Sequence, residues 1–200
     1  MTRTTLHLNL LALFLAGFFL NPPPFLTIDA LESTLPGFAD FSESVQNGEA
    51  AILRGVYVQN VLALPVVQQP ADQPYYVSNR DGELTQFSMA SRYGNIGLLA
   101  HNTLSGSLFS GLAPGQEVRL VYGDGRVEHF VIAETMEFQA LEPESVTSSF
   151  RNLDEDEVLS AGEMFNRAYG GERRVVFQTC IETEGNVSWG RLFVMAVPKE

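Results

Sequence analysis

Val175-Val176-Phe177-Gln178-Thr179-Cys180 is a run of β-branched and aromatic residues that ends on the single cysteine of the chain. Eleven residues later Arg191 opens a second run of the same kind, Leu192-Phe193-Val194-Met195-Ala196-Val197. Upstream, Ile96-Gly97-Leu98-Leu99-Ala100 ends on His101. Short, continuous, apolar runs bounded by polar residues read as buried strands. One thiol, one imidazole and one guanidinium therefore each stand at the end of an apolar strand. That is the minimum equipment for acyl transfer through a thiolate.

Outward from these runs the chain is mostly strand-like. Ala51 to Gln59 and Val61 to Val67 read as strands, broken near Gln59-Asn60. Pro70 to Pro74 reads as a loop, Tyr75-Tyr76-Val77 as a short strand, Asn79-Arg80-Asp81-Gly82 as a tight turn, and Gln86 to Ala90 as another strand. Gln116 to Glu134 is the clearest hairpin. Val118, Leu120 and Tyr122 alternate with Glu117, Arg119 and Val121, and Gly123-Asp124-Gly125 tolerates the turn. His129 on the return strand reads as an ordinary sheet histidine, and Phe138 to Leu141 continues the sheet.

Two helices stand out. Leu35, Phe38, Phe41 and Val45 recur at helical spacing after Pro36. Asp154-Glu155-Asp156-Glu157 opens a second candidate, with Val158, Ala161, Phe165 and Ala168 along one face and Gly170-Gly171 as its stop. Glu182 to Gly190 reads as a polar loop between the last two strands. Many short strands with few helices indicate an antiparallel or mixed β-barrel and not an α/β sheet.

Two hundred residues allow one domain of ordinary size plus a targeting segment. At 45% hydrophobic the chain can fill a core. A net charge of −12 with only 12 Lys and Arg repels nucleic acid and anionic headgroups. Arg3 followed by a mostly apolar run from Leu8 to Leu20 matches a signal-peptide core and is short for a spanning helix. Pro22-Pro23-Pro24 ends any helix there. Two readings stay open, a removed signal peptide or an uncleaved membrane anchor. The expected organisation is residues 1–22 as that segment, 23–50 as a linker with a short helix, and 51–200 as the barrel. A lone thiol in an exported protein cannot make an internal disulfide, so it is either packed away or kept for its reactivity.

The flanks of the three residues turn that choice toward reactivity through a resemblance. Gly94-Asn95-Ile96-Gly97-Leu98-Leu99-Ala100-His101-Asn102 resembles the sortase segment that ends in the catalytic histidine. Leu108-Phe109-Ser110-Gly111-Leu112-Ala113-Pro114-Gly115-Gln116 resembles the segment that follows it. Val176-Phe177-Gln178-Thr179-Cys180 resembles the signature Thr-Leu-x-Thr-Cys, with Val176 where threonine is usual and Phe177 where leucine is. Arg191 falls where the family has its arginine. The resemblance covers about residue 90 to the C-terminus.

It implies a sortase-like eight-stranded β-barrel with one or two short helices. It also implies a cysteine transpeptidase on the outer face of a membrane, acting on a peptide sorting signal and an amine acceptor. Cys180 would be the nucleophile, since a thiol near its ordinary pKa needs a base or cation to attack well. His101 would act as base or imidazolium partner, and Arg191 as oxyanion donor. Read singly, each has a plainer meaning: a packed thiol, a structural histidine, a surface charge.

Thr179 and Asn102 are candidate substrate contacts, or else a strand filler and a loop cap. Trp189 would wall a peptide groove or pack in the core. No cofactor is expected. Calcium on Asp154 to Glu157 with Glu182 and Glu184, as in some sortases, is a lesser alternative, because the run lacks the alternating spacing of an EF-hand. A non-catalytic peptide-binding barrel and a cysteine hydrolase using water are the alternative functions.

Overall fold

The computed structural model describes residues 35–200. The apolar segment before Pro22 lies outside the described residues. No described helix is long and apolar enough to cross a membrane.

Ten strands form one sheet: β1 (Leu53–Val58), β2 (Leu62–Gln68), β3 (Leu84–Phe87), β4 (Ile96–Leu99), β5 (Glu117–Tyr122), β6 (Val127–Ala140), β7 (Phe150–Asn152), β8 (Val158–Leu159), β9 (Val175–Thr183) and β10 (Asn186–Pro198). Their order is β10-β9-β4-β3-β2-β1-β5-β6-β7-β8, and β10 also pairs with β6. That extra pairing closes eight of the strands into a barrel. β7 and β8 branch from the far end of β6, which is long enough to hold β10 and β7 at once. The β2–β3 and β4–β9 pairings are parallel and the rest antiparallel.

The strands read as nearly continuous apolar runs because several are covered on both faces. On β9, Val175 and Phe177 point into the barrel with Leu98, Leu120, Ile132 and Val194. Val176 points out, into a second cluster with Phe138, Phe193 and Met195. That outer cluster is capped by helix α3 (Ala161–Tyr169) through Met164, Ala168 and Tyr169. Gly97 on β4 admits this helix, since a Cβ there would come within 2.9 Å of Phe87 Cβ and 3.0 Å of Tyr169 Cε1. Helix α1 (Phe38–Val45) covers the opposite side, burying Phe41 against Tyr57 and Val121. Helix α2 (Ser88–Ser91) and a 3₁₀ helix (Ser105–Gly111) complete the described elements.

Four local expectations are corrected. Tyr75-Tyr76-Val77 is not a strand. It lies in the β2–β3 connection, held by Gln69 Nε2 donating to Pro74 O and Tyr76 O. The strand expected over Gln86 to Ala90 starts two residues earlier and turns into α2 at Ser88. The helix expected from Asp154 begins only at Ala161, because the capping box is Ser160 with Glu163. Glu163 N–H donates to Ser160 Oγ, and Ser160 N–H to the Glu163 carboxylate. Val158, expected on that helix, is paired with Arg151 in β8.

The fourth correction lies beside Cys180. Glu182 to Gly190 is not a loop but the tip of the β9–β10 hairpin. Its turn is Glu184-Gly185, with φ 53° and 82°, between the paired residues Thr183 and Asn186. Two consecutive positive φ values make the turn whose twist matches the strands. The polarity that suggested a loop reflects a hairpin standing in solvent.

Candidate active site

Three adjacent strands carry the three residues singled out in the sequence. On β9 and β10, Cys180 and Arg191 are direct partners in the antiparallel register. Directly opposed residues put their side chains on the same face, with Cβ atoms about 5 Å apart. That face is the outer one, because Val176, Phe193 and Met195 share its parity and pack outside the barrel.

On β4 the parallel register runs Ile96↔Val175 to Leu99↔Gln178. Ala100 continues it, its N–H donating to Gln178 O at 3.4 Å. Thr179 Oγ1–H donates to Ala100 O at 2.9 Å. The next residue is His101, level with Cys180. Neighbouring strands lie about 5 Å apart, so continuing the register past the end of β4 brings His101 toward Cys180, itself paired with Arg191. The strand stops at His101 because its carbonyl accepts N–H bonds from Leu104 and Gly106, both at 3.0 Å, and the chain turns into the 3₁₀ helix. Gly106 is required there, since a Cβ would lie 2.4 Å from Thr179 Oγ1.

Cys180 is a free, half-buried thiol. Among the described residues neither its sulfur nor the His101 ring makes a hydrogen bond. Arg191 is half-buried and anchored, Nη1 donating to Ser188 O at 3.0 Å and Gly190 O at 2.8 Å. Its guanidinium carbon stands 6.0 Å from the Phe150 ring centroid. The carbonyl anchors come from the irregularity that β10 makes between Asn186 and Gly190. Asn102 Nδ2 donates to Val187 O at 3.0 Å, tying the end of β4 to the hairpin.

Arg191 also marks one end of an open groove of about 590 Å³ on the outer face of the barrel. Its floor is Leu99, Gln178 and Phe193 on β4, β9 and β10, and its wall includes Phe87, Phe165 and Tyr169. The wall rings meet edge-to-face or tilted, with centroids 5.1 to 6.3 Å apart. Tyr75 and Val146, 83% and 80% exposed, stand at its rim. Cys180 lines a smaller hollow of about 270 Å³ with Asn102, Ser107 and Glu182.

Not every candidate falls where the sequence suggested. Thr179 points inward and is 5% exposed, with its hydroxyl proton engaged by Ala100 O. Its side chain holds β4 to β9 and does not offer a donor to a substrate. Trp189 is half-buried on β10 and lines neither hollow, the aromatic wall being built from the end of β3 and from α3 instead. Along the acidic run, Asp154, Glu155 and Asp156 are exposed and Glu157 pairs with Arg167. Among the described residues no group of three or more His, Cys, Asp or Glu converges on one point.

Two residues escaped the sequence reading. Asn95 is 1% exposed. It donates to Tyr169 O at 2.7 Å and accepts from Arg174 N–H at 2.8 Å, fastening the starts of β4 and β9 to the end of α3. Gln178 is the one polar residue at an outward position within the apolar run of β9. A polar residue two places before the candidate nucleophile, on its own face, was the available signal.

No protein-family model matches the chain, and no curated protein matches it. Solved structures similar in overall fold are sortases. Sortase E1 from Streptomyces coelicolor, solved with a tripeptide in the active site, is 17% identical at TM-score 0.48, covering 78% of this chain and 91% of that one. Sortase C-1 from Actinomyces oris is 12% identical at TM-score 0.48, covering 98% and 100%. Sortase A from Listeria monocytogenes is 14% identical at TM-score 0.47, covering 75% and 88%. These likenesses are distant, and the functional reading rests on the residues of this chain.

Proposed function

We propose that the chain is a sortase-like cysteine transpeptidase acting at the cell surface. The observation that supports the reading is the pairing of Cys180 with Arg191 on β9 and β10, with His101 just past the end of the neighbouring β4 and an apolar groove lined by Arg191 beside them. An extended peptide laid in the groove brings its scissile carbonyl to the thiol. The Cys180 sulfur attacks the carbonyl carbon, the thiol proton passes to His101, and the charge on oxygen is met by the Arg191 guanidinium. Collapse breaks the C–N bond, and the amine leaves with the proton from His101. A thioester on Cys180 remains. An incoming amine attacks it, its proton returns through His101, and the sulfur leaves. No oxidation or reduction occurs.

The groove favours a peptide over a compact polar substrate, because it is open, apolar and aromatic-walled. Incubation with a peptide library, followed by mass spectrometry of Cys180, tests the reading. Acyl adducts on Cys180 of the intact protein and none on a His101→Ala variant are expected. Peptide binding without any adduct would replace the enzyme by a binding module.

A further inference from the structure

Gln178 is the polar break in an apolar floor. It lies on β9 two residues before Cys180 and on the same outer face, so its Cα stands about 7 Å from that of the cysteine. Leu99 and Phe193 are its register partners on either side. Its carboxamide oxygen accepts the Tyr169 hydroxyl at 2.5 Å. Burial pushes the Tyr169 pKa up, so that hydroxyl stays a donor. The Gln178 oxygen is thereby held toward α3. The NH₂ of the same carboxamide makes no hydrogen bond to the described residues, and the side chain lines the groove.

Of the other polar side chains lining the groove, Gln69 and Ser145 are engaged, and the Tyr75 hydroxyl stands at the exposed rim. Gln69 donates to two carbonyls and accepts from Ser88 N and Oγ. Ser145 is bonded to Thr147. Arg191 stands at the end beside the thiol. An amide donor is thus presented to the middle of an apolar groove, at a fixed distance from the nucleophile. A ligand that buries this NH₂ without accepting from it leaves a desolvated donor unpaired, which is costly. A ligand with an oxygen there is selected, because sites built to hydrogen-bond reject analogues lacking the group.

We infer that Gln178, held by Tyr169, is a specificity-determining residue that selects acyl-donor peptides with a hydrogen-bond acceptor about two residues before the acylated one. The inference rests on the transpeptidase reading for the register of the peptide. The acyl part must stay bound while one amine replaces another, so it is the acyl part that occupies the groove. A side-chain amide, hydroxyl or free backbone carbonyl fits the site. An ammonium or guanidinium at the same place meets a donor and is disfavoured.

The test uses pairs of peptides that differ only at that residue, Gln against Met and Thr against Val. For the intact protein kcat/KM is expected to favour the acceptor member about tenfold. Gln178→Leu should erase or reverse the preference, Gln178→Glu should shift it toward lysine at that residue, and Tyr169→Phe should weaken it by freeing the amide. A purely structural role would lower both members of a pair equally. Thermal melting of each variant separates folding from recognition.

Acylation with the same preference in the intact protein and Gln178→Leu overturns the inference and leaves the transpeptidase reading intact. If no peptide acylates Cys180, calorimetric binding of the pairs to a Cys180→Ala variant, with and without Gln178→Leu, decides the question. Discrimination that depends on Gln178 upholds the inference. Equal binding, or none, overturns it.

Discussion

Cys180 and Arg191 face each other directly across β9 and β10, as register partners on the outer face of a closed barrel. The guanidinium is therefore placed by backbone pairing and not by a loop. Anchoring of its Nη1 to Ser188 O and Gly190 O leaves its remaining N–H groups for a ligand.

Cys180→Ala is expected to abolish turnover while the barrel stays folded. The thiol is half-buried and makes no hydrogen bond among the described residues, so its loss removes little packing. Peptide cleavage and thermal melting, measured on the same preparation, check this. Full activity would remove Cys180 from the mechanism, and collapse of the fold would make it a core residue.

Arg191→Lys is expected to lose roughly 100-fold or more in turnover although the charge is kept. A lysine ammonium cannot hold two carbonyls through one corner of a planar fork and still present further donors along it. Steady-state kinetics decide, and turnover near that of the unaltered protein would reduce Arg191 to a surface charge.

Added amines are expected to raise the rate of peptide consumption and to appear in the product. Water is abundant, so a transpeptidase must favour the amine by geometry, and positioning can supply several kcal/mol. Glu182 lines the hollow with Cys180, and a negative rim suits a cationic amine. Mass analysis of products with and without short glycine peptides or a diamino acid is the check. Accumulation of the free acid alone, at a rate no amine changes, would make the protein a hydrolase.

Asn95→Ala is expected to lower stability by about 1–3 kcal/mol, since two buried hydrogen bonds lose their partner. It should also loosen α3 against β4, which forms part of the groove. Chemical denaturation measures the first effect. Amide exchange at Tyr169 and Arg174 measures the second, and unchanged exchange there would show that the clamp is dispensable.

At the other end of the barrel Glu117 is held down to about pKa 2, first by Lys199 Nζ at 2.7 Å and then by Arg119. A depressed carboxylate stabilises the fold above its ordinary pKa, and that contribution fades as pH falls toward the depressed value. The melting-temperature gap between the intact protein and Glu117→Gln should thus be steady above about pH 5 and close between 4.5 and about 2. A gap that widens on acidification would contradict the assignment.

The β-barrel was legible because its inward and outward residues are both apolar, leaving clear runs at Val175 to Phe177 and Leu192 to Val197. His101, Cys180 and Arg191 were legible at the ends of apolar runs, but only His101 stands at a strand end, since β9 continues to Thr183 and β10 begins at Asn186; the approach of His101 to the other two followed only from pairing between distant segments. Tyr75 misled because an aromatic at a groove rim has the composition of a strand residue. Glu182 to Gly190 misled because a two-residue turn with Glu184 at positive φ carries no strong signal. The role of Gln178 was hidden for another reason. Its meaning depends on Tyr169, whose hydroxyl reaches it only once α3 is packed.

The pairing of β4 with β9 joins residues 79 apart in sequence, Ile96 with Val175. Contacts between such distant segments close large loops, and they form slowly. His101 and Cys180 are aligned by this pairing, whereas Arg191 meets Cys180 through the local β9–β10 hairpin. A chain still searching for its fold can pair the thiol with Arg191 locally but holds it apart from His101. On the proposed reading, chemical competence is in this sense a late product of folding, because His101 reaches the thiol only through the long-range pairing of β4 with β9.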